Sequence, residues 1–494
     1  MGDVSRLARA RASHGCRRDP FRRRRLGRRL DPGVGVTTPP PPGASERGRA
    51  AVERLLDEHG IELVRFETPD LNGVSRGKTV TADHFWAFVD SGVPLVSDIF
   101  CWDHECWVAT GTGFGEDLTF ADLSMRPDLS TFAVLPHVRG QARVICDMDY
   151  TDGRPVEASP RRVLRQQTEA AAAQGVIARM QAEYEFYLLD EQTGRPPFGG
   201  TPITTTLTNQ RLPVLSQLVR DLRAFGLSPR TLNHEWGPTQ YELTFDAVEG
   251  LAAGDDNFTY KTYAKEIAAQ HGLVLSFMSK PFAGLSGSSS HLHMSLFEGA
   301  RNVFWDGAER DVSPEFRWAI GGVLAHAAGL QALLGPTVNC AKRYRKGTYA
   351  PASITWGYEN RSVAVRVKAG RGDHTHIENR LGSGASNPYL ALAGMLAAVL
   401  DGIRRRVEPP EPLATSAYRL DGLDRLPATL EESLEALARD ELLLGAFHPE
   451  FVHAFLALKR HEVRKAREAV ASYGTDEWTD AVTDWERDQF LFLS

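Results

Sequence analysis

Hydrophobic and polar positions change rhythm several times along the chain. ERGRAAVERLLDEHG, residues 46–60, repeats its apolar positions at helical spacing and closes on Gly60. IELVRFET and ARVICDMDY alternate with period two between turn residues, which predicts strands. A small strand-rich unit is therefore expected over residues 46–156. A helix should follow, with Ser159 as cap, Pro160 at its first position and Gly175 closing the segment. Beyond it, VIARMQAEYEFYLLD and LPVLSQLVRDLRAFG lead into the helical DDNFTYKTYAKEIAAQHG, and another capped helix starts at Asn387-Pro388. Helices and strands mix without strict βαβ order, so the expected class is α+β, with a larger unit over 157–494.

Composition adds bounds. With 494 residues, 42% of them hydrophobic and 24% charged, there is material for a large core and for two or more domains. Net charge is −6, unevenly spread: residues 1–30 carry 11 Arg and 2 Asp, a local +9 that leaves about −15 elsewhere. The folded part is therefore not expected to bind nucleic acid. Residues 1–45, Arg-rich and then Pro/Gly-rich, read as a disordered tail or an upstream extension from a misplaced start codon; the alternative is an arm for nucleic acid or a membrane surface. The five cysteines make no disulfide framework, although Cys101 and Cys106 could pair, and they suit a reduced, cytosolic setting. The apolar run Leu390–Leu400 is too short to span a bilayer, and no secretory apolar region follows the basic start.

Candidate chemistry begins in QAEYEFYLLD. Glu183 and Glu185 are two apart on a strand, so both carboxylates face one way in an otherwise apolar run. A wet edge strand would explain them. So would a cation, because a buried carboxylate must be paired, protonated or metal-bound. LNHEWGPTQYELTF adds Glu235 and Glu242 around a turn at Gly237-Pro238. SGSSSHLHMSL adds His291 and His293, and HTHIENRLG adds His374, His376 and Glu378 in one alternation. Five glutamates and several histidines suit Mg²⁺ or Mn²⁺, whereas structural zinc would want thiolates. NCAKRYRKG then brings Lys342, Arg343, Arg345 and Lys346, NRSVAVRV brings Arg361 and Arg366, and IENRLG brings Arg380. Arginine on alternating strand positions suits phosphate and carboxylate, and acids plus arginines describe transfer of a phosphoryl group from a metal–nucleotide complex. GVSRGKT is one residue short of a phosphate-binding loop, and GTGFG lacks the third glycine of a dinucleotide loop.

These motifs, in this order from about Glu46 to the C-terminus, resemble the glutamine synthetase family, closest in layout to its bacterial type I form. The resemblance implies a β-grasp-like N-terminal domain and a large α/β catalytic domain. It implies two or more metal ions: Glu185, Glu235 and Glu242 at the first, Glu183, His291 and Glu378 at the second. His293 and Ser295 would face ATP, with Arg361 and Arg366 on its phosphates. Arg343 would hold the glutamate carboxylate or the γ-phosphate, and Glu185, Gly287, Arg343 and Arg380 would bound the glutamate. PDLNGVSRGK matches a loop that offers Asp70 to an adjacent subunit, in a family that forms dodecamers. The implied reaction makes γ-glutamyl phosphate from ATP and glutamate, and an amine deprotonated near Asp70 and Glu235 then attacks it.

The departures concern the ammonium pocket. Tyr349 stands where type I enzymes carry a flap glutamate, Ser286 replaces the asparagine that opens the His loop, Thr201 replaces a tyrosine, and His376 replaces an arginine. Loss of an acid lowers the preference for a small cation, and an aromatic wall favours a larger amine. The expected activity joins glutamate to ethanolamine, a polyamine or an alkylamine; a glutamine synthetase using ammonium, a silent regulatory paralogue and a metal hydrolase are the competing readings. Tyr418 lies roughly where some type I enzymes are adenylylated, or it is a surface tyrosine.

Overall fold

The alternating run read in IELVRFET forms β1 (Leu63–Pro69), buried on every second residue at its start and throughout its end. In this computed structural model, residues 48–200, 202–204, 212–307, 312–368 and 372–493 are described, so the tail over 1–45 and Thr201 lie outside them. β2 (Ser75–Thr81), β3 (Val93–Val96), β4 (Asp122–Pro127), β5 (Ala133–Val134) and β6 (Gln141–Asp149) complete a first sheet ordered β2-β1-β6-β4-β3, with β5 on β6. β1 and β6 run parallel and the other pairs antiparallel.

The second sheet is built on the long β7 (Ile177–Asp190). β8 (Pro229–His234), β9 (Gln240–Phe245), β10 (Val248–Glu249), β11 (Leu273–Ser276), β12 (Ser290–Glu298), β13 (Arg301–Asn302), β14 (Trp356–Tyr358), β15 (Val365–Lys368) and β16 (His376–Asn379) join it. Its main path is β14-β15-β16-β12-β7-β9-β8, with only β14 and β15 parallel. A mixed helix-and-sheet fold without βαβ alternation is thus present. Both sheets lie in one compact unit.

Helices cover the second sheet. Pro388–Arg405 is buried without a break from Pro388 to Gly402, which explains its all-round apolar sequence. Its start is capped as the sequence indicates: the Asn387 side-chain oxygen accepts from the Tyr389 and Leu390 amides, and proline holds the first position. Pro160–Ala173 also begins on proline, but Ser159 makes no side-chain cap, and its hydroxyl is buried without a hydrogen bond among the described residues. Helix Leu251–Ala269 packs beneath β7 and buries Tyr260, Tyr263 and Lys261. Cys101, Cys106, Cys146 and Cys340 are free thiols. No helix of the described residues is long and apolar enough to cross a membrane.

Candidate active site

The register of the second sheet collects the site. Directly opposed residues of an antiparallel pair project to one face. Glu183 opposes His291 and Glu185 opposes Glu242 across β7. His293 opposes Glu378, which opposes Arg366 on β15. Four neighbouring strands, β9, β7, β12 and β16, thereby set Glu242, Glu183, Glu185, His291, His293 and Glu378 on one surface.

Distances agree with that placement. His291 Nδ1 lies 3.0 Å from Glu183 Oε1 and 3.9 Å from Glu378 Oε1. His293 Nε2 is 3.4 Å from Glu183 Oε2. Glu378 accepts from Arg380 Nη1 at 2.5 Å and Arg366 Nη1 at 3.0 Å, and Lys368 Nζ approaches at 3.3 Å. Glu185 accepts from the Ser289 amide at 2.9 Å, the Ser289 hydroxyl at 2.6 Å and Gln240 Nε2 at 3.2 Å. Asn233 Nδ2 donates to Glu242 Oε1 at 3.0 Å.

The acids divide by electrostatics. Burial opposes ionisation of Glu183, but its bonds to His291 and His293 outweigh it and hold the carboxyl well below the usual range. Burial is likewise outweighed at Glu378, here by the charges of His293, His291, Arg380 and Lys368, which hold it low. Glu242 goes the other way, pushed well above its ordinary value by burial and then by the charge of Glu183. Burial and the charges of Glu185 and Glu183 push Glu235 up to about 8, although Arg361 and Arg380 pull back. Burial and the Arg380 charge depress His291, which favours the neutral imidazole a metal needs.

A divalent ion would relieve this crowding. Glu183, Glu242 and His291 offer ligand atoms all within 4.8 Å of one another, an oxygen-rich set with one imidazole that fits Mg²⁺ or Mn²⁺. This trio takes Glu242 from one expected ligand set and Glu183 and His291 from the other. Glu235 sits in the turn after β8, with its amide bound to the Gln240 carbonyl at 2.8 Å.

A cavity of about 380 Å³ opens beside the acids, lined by Glu185, His291, Gly287, Ser289, Arg343, Arg380, Trp236 and Tyr349 among others. Arg343 ends the 3₁₀ turn Val338–Arg343, and its Nη2 donates to the carbonyls of Arg380, Leu381 and Gly382 at 3.3, 3.1 and 2.6 Å. The Nε atoms of Arg343, Arg366 and Arg380 are buried without a hydrogen-bond partner among the described residues, and Arg343 and Arg380 line the cavity. Gly287 allows the approach: a Cβ there would come within 2.8 Å of the Ser279 carbonyl and 2.9 Å of Arg343 Cγ.

Several expected residues stand elsewhere. Asp70 is fully buried in the β1–β2 turn, where its carboxylate accepts from the Asn72 and Val74 amides at 2.8 and 2.9 Å and from Arg76 Nε at 2.8 Å. Within the single chain this carboxylate is spent on its own turn and on Arg76, and a role toward an adjacent subunit rests on the family resemblance. Lys342 leaves the basic cluster for a buried pair with Glu486 at 2.6 Å. Arg361 is exposed in the turn ahead of β15, so it does not share a strand alternation with Arg366. His374 belongs to the short turn Gly372–His374 and not to β16, which begins at His376. Ser295 shares the parity of His291 and His293, and its hydroxyl donates to the Thr375 carbonyl at 3.0 Å. The Tyr418 hydroxyl donates to the Ala350 carbonyl at 2.8 Å.

Other participants were not singled out from the sequence. Lys368 lies two residues after Arg366 on the same strand face, a signal that alternation carried. Trp236 directly follows Glu235, but no local pattern joins it to Tyr349; their ring centroids are 6.0 Å apart.

Comparison with known proteins agrees with the geometry. The profile of the family "Glutamine synthetase, catalytic domain" matches residues 157–478. Glutamine synthetase of Thermotoga maritima is 33% identical over 463 residues, covering 90% of this chain and 99% of the relative. A glutamate–isopropylamine ligase of a Pseudomonas species is 32% identical over 452 residues, covering 87% and 98%. The solved structure of apo GmaS without ligand superposes with a TM-score of 0.76 at 29% identity, covering 89% of this chain and 98% of that one.

Proposed function

This chain belongs to the glutamine synthetase family, and from that premise we propose that it joins the γ-carboxyl of glutamate to an organic amine at the expense of ATP. One observation carries the choice of amine. The cavity wall where the sequence resemblance places a flap glutamate bears the ring of Tyr349, stacked obliquely on Trp236.

The residues then take these roles. Glu183, Glu185, Glu235, Glu242, His291 and Glu378 would hold two Mg²⁺ or Mn²⁺ ions, which when bound supply charge neutralisation and orientation for the triphosphate. Arg343 and Arg380, which line the cavity, grip the glutamate carboxylate or the transferring phosphate, and Glu185 and Gly287 bound the amino acid. Arg361 and Arg366 reach the phosphates, with His293 and Ser295 toward the nucleotide. Arginine charge disperses the negative charge that builds as γ-glutamyl phosphate forms. Glu235 accepts the proton of the incoming amine, the role that the family resemblance gives it. The family layout belongs to the same proposal: a β-grasp-like unit over 46–156, a catalytic unit over 157–494 and a cytosolic homo-oligomer.

Ammonium is the second reading, because the glutamine synthetase and the isopropylamine ligase are equally close relatives. Phosphate release from ATP with glutamate, scanned over ammonium and organic amines, separates them. Release that needs both glutamate and an organic amine supports the proposal, and turnover with ammonium alone rejects it.

A further inference from the structure

We infer that the acceptor is a monoamine whose uncharged tail packs on the Trp236–Tyr349 pair, so that polyamines are poor substrates. This rests on the organic-amine reading and narrows it. Trp236 and Tyr349 are 57% and 58% exposed, and their planes meet at 54°. Two large apolar rings open to the cavity are a ready surface for a hydrocarbon chain.

The wall is held in place. Tyr349 takes the left-handed conformation, φ +58°, rare for a non-glycine residue, and its carbonyl accepts from Arg380 Nη2 at 3.0 Å. The same guanidinium bonds Glu378 at 2.5 Å, so the acidic face anchors the backbone that carries the ring. A tail can therefore bind without ordering this segment first.

Charge decides what kind of tail. Rings alone would accept an ammonium. Among the described residues lining the cavity, however, the one carboxylate is Glu185, already engaged by Ser289 and Gln240. Lys280 and Arg345 add cations to the same lining beyond Arg343 and Arg380, whose charge the bound glutamate carboxylate or phosphate takes up. Arg345 finds its partner outside, on exposed Asp480. A second ammonium on the acceptor would meet like charges and no free carboxylate, whereas a methyl or hydroxyl terminus meets neither penalty.

The test uses the full chain with saturating glutamate, ATP and Mg²⁺, reading phosphate release and product mass with ammonium, ethanolamine, n-butylamine and putrescine. Butylamine and putrescine differ by one terminal ammonium. We expect kcat/KM for butylamine to exceed that for putrescine by about tenfold or more, and the Trp236→Ala and Tyr349→Ala variants to shrink that ratio by raising the butylamine KM about fivefold. Putrescine equal to or better than butylamine overturns this inference and leaves the organic-amine ligase standing. An unchanged ratio in a folded Trp236→Ala enzyme removes the rings from the argument. Turnover with ammonium alone, or with no amine, overturns both.

Discussion

Glu183 and His291 stand directly opposite each other across the β7–β12 ladder, with Oε1 and Nδ1 3.0 Å apart. The pair explains why one strand carries two acids on a single face. Glu183 is stabilised by histidine and stays ionised, while its charge presses on Glu242 from the other side. Two unit charges about 4 Å apart repel by about 4 kcal/mol at an effective dielectric constant near 20.

Glu242→Gln removes one of the crowded charges at nearly constant shape. Melting of the metal-free variant should occur at or above the wild-type temperature, because repulsion is relieved. Mg²⁺ or Mn²⁺ should raise the melting temperature of the wild type but not of the variant, and ligase turnover should fall about 100-fold or more, as for loss of a transition-state contact. A variant that still gains stability from metal would take Glu242 out of the ligand set.

The contribution of Glu235 and Glu242 to the stability of the metal-free protein should fall as pH rises from about 4.5 to about 8, against the opposite trend of the depressed His291 and His376. Glu235 has an ordinary value of 4.5 and is pushed up to about 8 in the fold, so across that window the folded state holds more protons than the unfolded state. Glu242, also raised, adds in the same direction. Saturating Mg²⁺ or Mn²⁺ should flatten the slope. Melting curves of the wild type and of Glu235→Gln, in chelator and in metal at half-unit pH steps, check this; a stability difference between the two that does not change over the window would contradict the assignment.

Tyr349→Glu restores an acid to the flap without disturbing the backbone bond from Arg380. The kcat/KM ratio of ammonium to n-butylamine should rise about tenfold, by better binding of a small cation and loss of ring surface. No change in the ratio would detach amine choice from this position.

His326 joins three helices: Nδ1 meets Asp440 Oδ2 at 2.7 Å and Nε2 meets Asp401 Oδ2 at 3.0 Å, while Arg404 and Arg405 bond Asp401. Burial disfavours the charged ring, but the bonds to Asp440 and Asp401 outweigh it and raise the pKa above its ordinary 6.5. Its stabilisation is therefore fully present below that value and is lost as pH climbs through the raised one. His326→Leu should cost about 3 kcal/mol at pH 6, as expected for breaking a buried pair, and less at pH 9. Equal losses at both pH values would show that packing, not charge, is what His326 contributes.

Much of this protein was readable along the chain. The period-two runs became β1, β6, β7 and β12, and Asn387-Pro388 starts a capped helix where the residues say it should. Strand parity placed Glu183 with Glu185 and His291 with His293, because alternation is a local property of extended backbone. Local rules failed where a neighbour far along the chain intervened. Ser159 has capping chemistry but does not cap. Lys342 and Arg343 are adjacent and both cationic, yet one is spent on Glu486 and the other lines the cavity. His374 falls in a turn two residues before β16, which begins at His376.

Residue types and their two-residue spacing determined by themselves that this chain carries paired acids, paired histidines and a run of arginines suited to a metal–phosphate site. Tertiary structure alone decided which strands lie side by side, and so which acid meets which histidine. It also enclosed Asp70 and brought Trp236 against Tyr349. Parity is set by each residue's immediate backbone, whereas register and neighbourhood are set by how whole sheets and helices bury their apolar faces together.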